Sequence, residues 1–307
     1  MEKNIKNIKK EFKEYGIFYT STELAEMLKR YVDYEPTRIY DPTCGQGNLL
    51  SVFDDHIEKY GQEIYVDELE KAGNRLKNFH GYCGDTLKDD GFKGMKFDLI
   101  VANPPFSVKW EPNETDERFA VAPCTAPPGK ADYAFLLHIL HHLADKGKAI
   151  CLEFPGILYR GQREGKIRQW LIEKNYIERV VAVPGKTFVD TQIATCIVIL
   201  NKSKETTDIV FEDLELGKEL TVTREQVESN GYALSVSNYI IDDTPQEQVD
   251  PCELMTEARH SFLKKLEGEL KFEQTVCEME GTTMQPFIEQ IKEVLRRFEQ
   301  HGEEETF

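Results

Sequence analysis

Two segments of the 307-residue chain carry groups arranged for recognisable chemistry. Asn103-Pro104-Pro105-Phe106 follows directly on the apolar run FDLIVA. Consecutive prolines lack backbone N–H groups and force an extended path, so the chain leaves that run with its carbonyls free. An Asn side-chain oxygen and a proline carbonyl can both accept hydrogens from one planar amine. That draws the nitrogen lone pair out of conjugation and lets it attack an electrophilic carbon. Phe106 adds a ring able to stack on a flat heterocycle. Alone, the same four residues are also consistent with a proline-stiffened loop and a capping Asn.

The second segment is DPTCGQGNLL, Asp41 to Leu50. Gly45 and Gly47 permit a sharp bend and close approach to a ligand, and a helix predicted to follow would offer unpaired amide donors. The third glycine of a dinucleotide fingerprint is missing, and Asp41 would repel a pyrophosphate but hold an amine, which points to a zwitterionic ligand. The alternative is a tight strand-to-helix connection with no ligand. Glu63, sixteen residues after Gly47, stands where carboxylates commonly accept hydrogen bonds from ribose hydroxyls, with Asp67 as competitor. Asp85 in GYCGDTL ends a third apolar run. Three acids at successive predicted strand ends define one edge of a sheet, where ligands of open α/β sheets bind.

The elements that must position these groups are legible as apolar runs alternating with helical spacing, the signature of a doubly wound α/β fold. Seven strands are predicted in a mostly parallel sheet: 38–40, 60–64, 80–83, 97–102, 149–154, 179–183 and 195–200. Helices are predicted at 21–31, 48–58, 69–78, 132–143 and 166–175. Only PGKTFVDTQIA separates the last two strands, so the final one should run antiparallel. The expected organisation is an N-terminal helical segment over 1–35, a core over 36–202, a small extension over 203–251 and a helical acidic tail over 252–307.

Composition narrows the class. Hydrophobic residues at 40%, charged residues at 30% and a mean hydropathy of -0.49 describe an ordinary soluble chain. With no spanning run and no leader pattern at the start, a cytoplasmic protein without membrane contact is expected. The seven cysteines include no Cys-x-x-Cys pair, which argues against a disulfide framework or a zinc ribbon. His138, His141 and His142 share a predicted helix, but without an intervening Glu they read as a partly exposed face, and no metal is expected. Residues 201–307 hold 11 basic and 25 acidic side chains, so most of the net charge of -17 lies in the tail. Such a chain binds polyanions poorly unless bases cluster locally, as Arg160, Arg163, Lys166 and Arg168 do, or a partner supplies them.

Taken in order, GIFYTS at 16–21, YDPTCGQGNLL, YGQE, GDTL, FDLIVANPPF, ADYAFLLHILHHL, LYRGQREGKIRQWL and VPGKTFVDTQIATCIVILNK resemble the S-adenosylmethionine-dependent, adenine-specific DNA methyltransferases. The likeness is greatest to the methylation subunit of type I restriction-modification systems. It spans Gly16 to about Lys202 and implies a Rossmann-like class I methyltransferase core. It further implies that Phe18, Thr20, Asp41, Pro42, Thr43, Cys44, Gly45, Gly47, Glu63 and Asp85 line an S-adenosylmethionine pocket. Asn103, also at the cofactor, would then hold a flipped adenine together with Pro104, Pro105 and Phe106. The chain departs from the family in having only about fifteen residues before the cofactor segment and no visible target-recognition domain. Double-stranded DNA and a separate specificity subunit are therefore the expected partners. The competing readings are a methyltransferase for RNA or protein glutamine, and a catalytically silent binding subunit.

Overall fold

In the computed structural model, residues 20–185, 194–242 and 251–302 are described. Short strands buried on both faces organise it. In β1 (Arg38–Asp41), Ile39 and Tyr40 are fully buried in two different apolar clusters, one on each face of a sheet. The same alternation runs through β4 (Phe97–Ala102), β5 (Leu143–Glu153) and β7 (Thr195–Asn201): Leu99, Val101, Ile150, Leu152, Ile197 and Ile199 face Ile39, while Ile100, Ala102, Ala149, Cys151, Cys196 and Val198 face Tyr40. Double-sided burial is why these strands read as unbroken apolar runs.

With β2 (Glu58–Glu63), β3 (Phe79–Cys83) and β6 (Ile177–Val183), the strand order is β3-β2-β1-β4-β5-β7-β6, and β7 runs antiparallel to both neighbours as expected. The sheet does not stop at seven strands. Among the described residues it has nine, because β8 (Ile209–Asp213) pairs parallel to β6 and β9 (Lys218–Val222) closes a hairpin on β8 through Gly217 at φ 61°. Ile209, Phe211 and Val222 are buried, so this hairpin covers an edge that β6 would otherwise leave unpaired.

One face is covered by α1 (Thr22–Lys29), which buries Leu24, Ala25, Met27 and Leu28, and by α2 (Val66–Arg75) with Ala72. Ser21 caps α1, its Oγ accepting from the Leu24 amide at 3.2 Å. A four-residue helix, α3 (Glu117–Ala120), sits within the 107–131 connection. The other face is covered by α4 (Asp132–His142) and α5 (Gln162–Glu173), with Val227 of α6 (Arg224–Ser229). The helix expected over 48–58 does not form. A turn and a single 3-10 segment, Leu50–Val52, stand there instead, since Phe53 is already extended (ψ 149°) and Asn48 donates its side-chain amide to the Thr20 carbonyl at 2.7 Å.

Residues 243–307 form a second unit. It contains α7 (Pro251–Glu280) and α8 (Gln285–Gly302). Gly281 at φ 69° and the Thr282 amide bonded to the Cys277 carbonyl end α7, and Pro286 lies in the first turn of α8. Among the described residues no helix is long and apolar enough to cross a membrane.

Candidate functional site

The strand order β3-β2-β1-β4 turns a sequence pattern into a place. Asp41 ends β1, Glu63 ends β2, Asp85 lies two residues past β3, and Asn103 follows β4. Four neighbouring strand ends therefore present Asp85, Glu63, Asp41 and Asn103 in a row about 14 Å long, three steps of roughly 4.8 Å. All four line one cavity of about 270 Å³.

Each group is held by its own loop. The buried Asp41 carboxylate accepts from the Thr43 amide at 2.9 Å. Glu63 ties β2 to the glycine turn, accepting from the Gly45 amide at 2.9 Å and the Tyr65 amide at 3.1 Å. Asp85 accepts from the Leu87 amide at 3.0 Å, and Thr86 Oγ1 donates to the Pro42 carbonyl. Asn103 donates through Nδ2 to Thr20 Oγ1 at 3.1 Å. Its oxygen is left without a hydrogen-bond donor among the described residues.

Burial sets the electrostatics. The Asp41 carboxyl is pushed up to about 8 by loss of solvent, with the Glu63 charge adding and the Thr43 amide opposing. Desolvation likewise raises Glu63, against the pull of the Tyr65 and Gly45 amides, and raises the Cys44 thiol. A pocket whose acids resist ionisation when buried alone is suited to a cationic ligand, which would supply the missing countercharge.

Of the residues expected at the site, Thr20, Asp41, Pro42, Thr43, Cys44, Gly45, Glu63, Asp85, Asn103 and Pro105 line the cavity. Phe18 lies outside the described residues. Gly47, Pro104 and Phe106 are not lining residues. Gly47 has φ 75°, and a Cβ there would stand 2.6 Å from Leu76 Cδ1, so its smallness serves packing against the end of α2 rather than contact with a ligand. Phe106 is half-buried, its ring 6.5 Å from that of Phe154. Asp67, the competitor of Glu63, does not reach the cavity.

The residues that sequence reasoning missed are mainly Ile64, Tyr65, Glu68, Lys109, Trp110 and Phe135. Ile64 and Tyr65 left a usable signal, apolar side chains directly after a strand end, and they are 55% and 39% exposed. Lys109 and Trp110 come from the long 107–131 connection, which is folded rather than loose: the Trp110 indole donates to the Pro127 carbonyl at 3.1 Å, and Phe119 and Ala126 are fully buried.

Two other clusters change character. Arg168 is buried and donates to the carbonyls of Ile157, Arg160 and Tyr232, so it is a structural strut and not part of a basic surface. His138 and His142 are fully buried, which corrects the expectation of a partly exposed face; in α4 only His141 escapes burial.

Residues 2–219 match the family model described as N-6 DNA Methylase. The type I restriction enzyme MpnII methylase subunit of Mycoplasma pneumoniae is 28% identical over 302 aligned positions, covering 78% of this chain and 55% of that protein. The chain spans about half the length of the curated relatives it matches. Among solved structures, the type I restriction-modification methyltransferase subunit of Streptococcus thermophilus superposes with a TM-score of 0.65 at 27% identity, covering 73% of this chain and 59% of that one. A putative class I S-adenosylmethionine-dependent methyltransferase of Listeria monocytogenes, 18% identical with a TM-score of 0.50, shares the fold over 66% of this chain and 69% of its own. With a family match over residues 2–219, more than half its length, the chain belongs to the N-6 DNA methylase family.

Proposed function

We propose that the chain transfers the methyl group of S-adenosylmethionine to the 6-amino group of adenine in DNA, as the methylating subunit of a type I restriction-modification-like assembly. The observation that carries this reading is the common cavity of Asp41, Glu63, Asp85 and Asn103. The donor set suits this cofactor. Buried Asp41 answers an ammonium group, Glu63 answers ribose hydroxyls, and Ile64 and Leu87 offer apolar walls to a purine. When bound, S-adenosylmethionine supplies an electrophilic methyl on a cationic sulfur.

The chain's own residues do the rest. A stacked adenine cannot reach the cavity, so the base must be extruded. Asn103 is oriented by Thr20, which leaves its oxygen and the Pro104 carbonyl to accept the two amine hydrogens. Orientation of the amine against the methyl, with these two acceptors, replaces a strong general base. Phe106, beside Phe154, would cover the extruded ring from outside the cofactor cavity.

Sequence selection falls to a specificity partner that docks double-stranded DNA. With Arg168 internal, the expected basic cluster loses one of its four members, and phosphate contacts from the rest position a duplex without reading it. Tritiated S-adenosylmethionine offered with duplex DNA, RNA and protein, in the presence and absence of partner subunits, tests the reading. Label recovered as N6-methyladenine in DNA is the expected result, and label confined to RNA or to protein refutes it.

A further inference from the structure

The segment between β3 and β4 and the end of α4 bring Asp90, His141 and His142 together, with one ligand atom of each within 4.8 Å of the others. This cluster stands at the opposite end of β4 from Asn103: His142 precedes Leu143, which pairs with Phe97, the first residue of β4. His142 Nδ1 lies 3.0 Å from the Met95 carbonyl, which can only accept, so Nδ1 carries the proton. The other nitrogen, Nε2, is buried and 3.0 Å from Asp90 Oδ1, a contact that is a hydrogen bond only when the ring carries a proton on both nitrogens. A neutral ring would thus aim a lone pair at a carboxylate, a conflict relieved either by a second ring proton or by a metal cation shared between the two.

We propose that Asp90, His141 and His142 bind one divalent cation of the zinc class. Metal bonds of about 2.0–2.1 Å to an imidazole nitrogen and a carboxylate oxygen that are 3.0 Å apart subtend roughly 95°, within the range of a distorted tetrahedron. The Met95 carbonyl on His142 Nδ1 is the outer support that metal-bound imidazoles use to fix their tautomer. Glu117 on α3, 4.0 Å from His141 Nε2, or a water completes four ligands. His138 is excluded, because its Nδ1 faces the Arg118 guanidinium and its Nε2 faces the Tyr40 hydroxyl, each at 3.0 Å. The ion's role is structural. It clamps the 84–96 segment to α4, and that segment begins with Gly84, Asp85, Thr86 and Leu87, all of which line the cofactor cavity.

The test uses the full, tag-free chain, dialysed against metal-free buffer after expression with zinc. Elemental analysis should find one zinc per chain, and cobalt exchanged into the site should show the visible absorption of four-coordinate Co²⁺. His141→Gln, at a partly buried position, and Asp90→Asn should each weaken zinc at least tenfold in competition with a chromophoric chelator, with circular dichroism unchanged. A wild-type chain that retains no zinc, with both His142 nitrogens protonated by NMR, overturns the proposal in favour of a buried ion pair. Undiminished zinc affinity in both variants overturns it as well.

Discussion

Replacing Asp41 with asparagine isolates the most perturbed acid of the cavity while keeping an oxygen for the Thr43 amide. Asp41 titrates near 8 in the ligand-free fold, against roughly 3.9 for an unfolded Asp. The raised value means that the folded state holds a proton the unfolded state has lost. The stability this confers is complete below pH ~4 and disappears as pH rises through about 8, so unfolding free energy should fall by about 1.4 kcal/mol per pH unit across that window relative to Asp41→Asn. Denaturant unfolding of both proteins from pH 5 to 8 reads this as a growing advantage for the variant. Binding supplies the second readout. At pH 7 Asp41 is about nine-tenths protonated if it titrates at about 8; a ligand ammonium that requires the carboxylate must therefore expel close to one proton. Calorimetric titration with S-adenosylmethionine in two buffers of different ionisation enthalpy counts that proton, and Asp41→Asn should lose the release together with much of the affinity. Wild-type binding with no proton release, and a stability difference flat in pH, would refute the reasoning.

Asn103→Ala should lower kcat for methyl transfer by about 10²–10³-fold or more while leaving cofactor affinity within a fewfold, as single-turnover kinetics and calorimetry can separate. Gly47→Ala places a Cβ against Leu76 in a left-handed backbone and should cost about 1–3 kcal/mol in denaturant unfolding. Arg168→Ala strands the carbonyls of Arg160 and Tyr232, leaves that of Ile157 with only the Tyr133 hydroxyl, and should destabilise by about 2–3 kcal/mol, whereas a DNA-contacting arginine would show its effect in the salt dependence of binding instead. Truncation after Asp242, where the first unit ends, should preserve cofactor binding and lose assembly with a specificity partner; co-purification checks this, and a complex that survives truncation excludes α7 and α8 from the interface.

Much of the site was legible before the fold. Two-sided burial leaves continuous apolar runs, so β1, β4, β6 and β7 stand out locally, and the acids and Asn103 are recognisable as groups at the ends of such runs. Local pattern left Glu63 and Asp67 as alternatives, and only the folded cavity, which takes in Glu63 and not Asp67, separates them. What local pattern cannot carry is adjacency. Asp41 and Asn103 are 62 residues apart, and only the parallel pairing of β1 with β4 makes them neighbours on one edge. The same limit hid β8 and β9, whose half-polar runs become strands because β6 offers them an open edge. It hid the loss of the 48–58 helix, where the Asn48 contact with Thr20 and the extended Phe53 outweigh helical spacing. It hid the interior histidines too, since polar residues at helical spacing look solvated until both faces of α4 are covered. Periodicity reports which faces are apolar; what covers them is decided by contacts between distant stretches of chain, and these form only when the sheet is assembled.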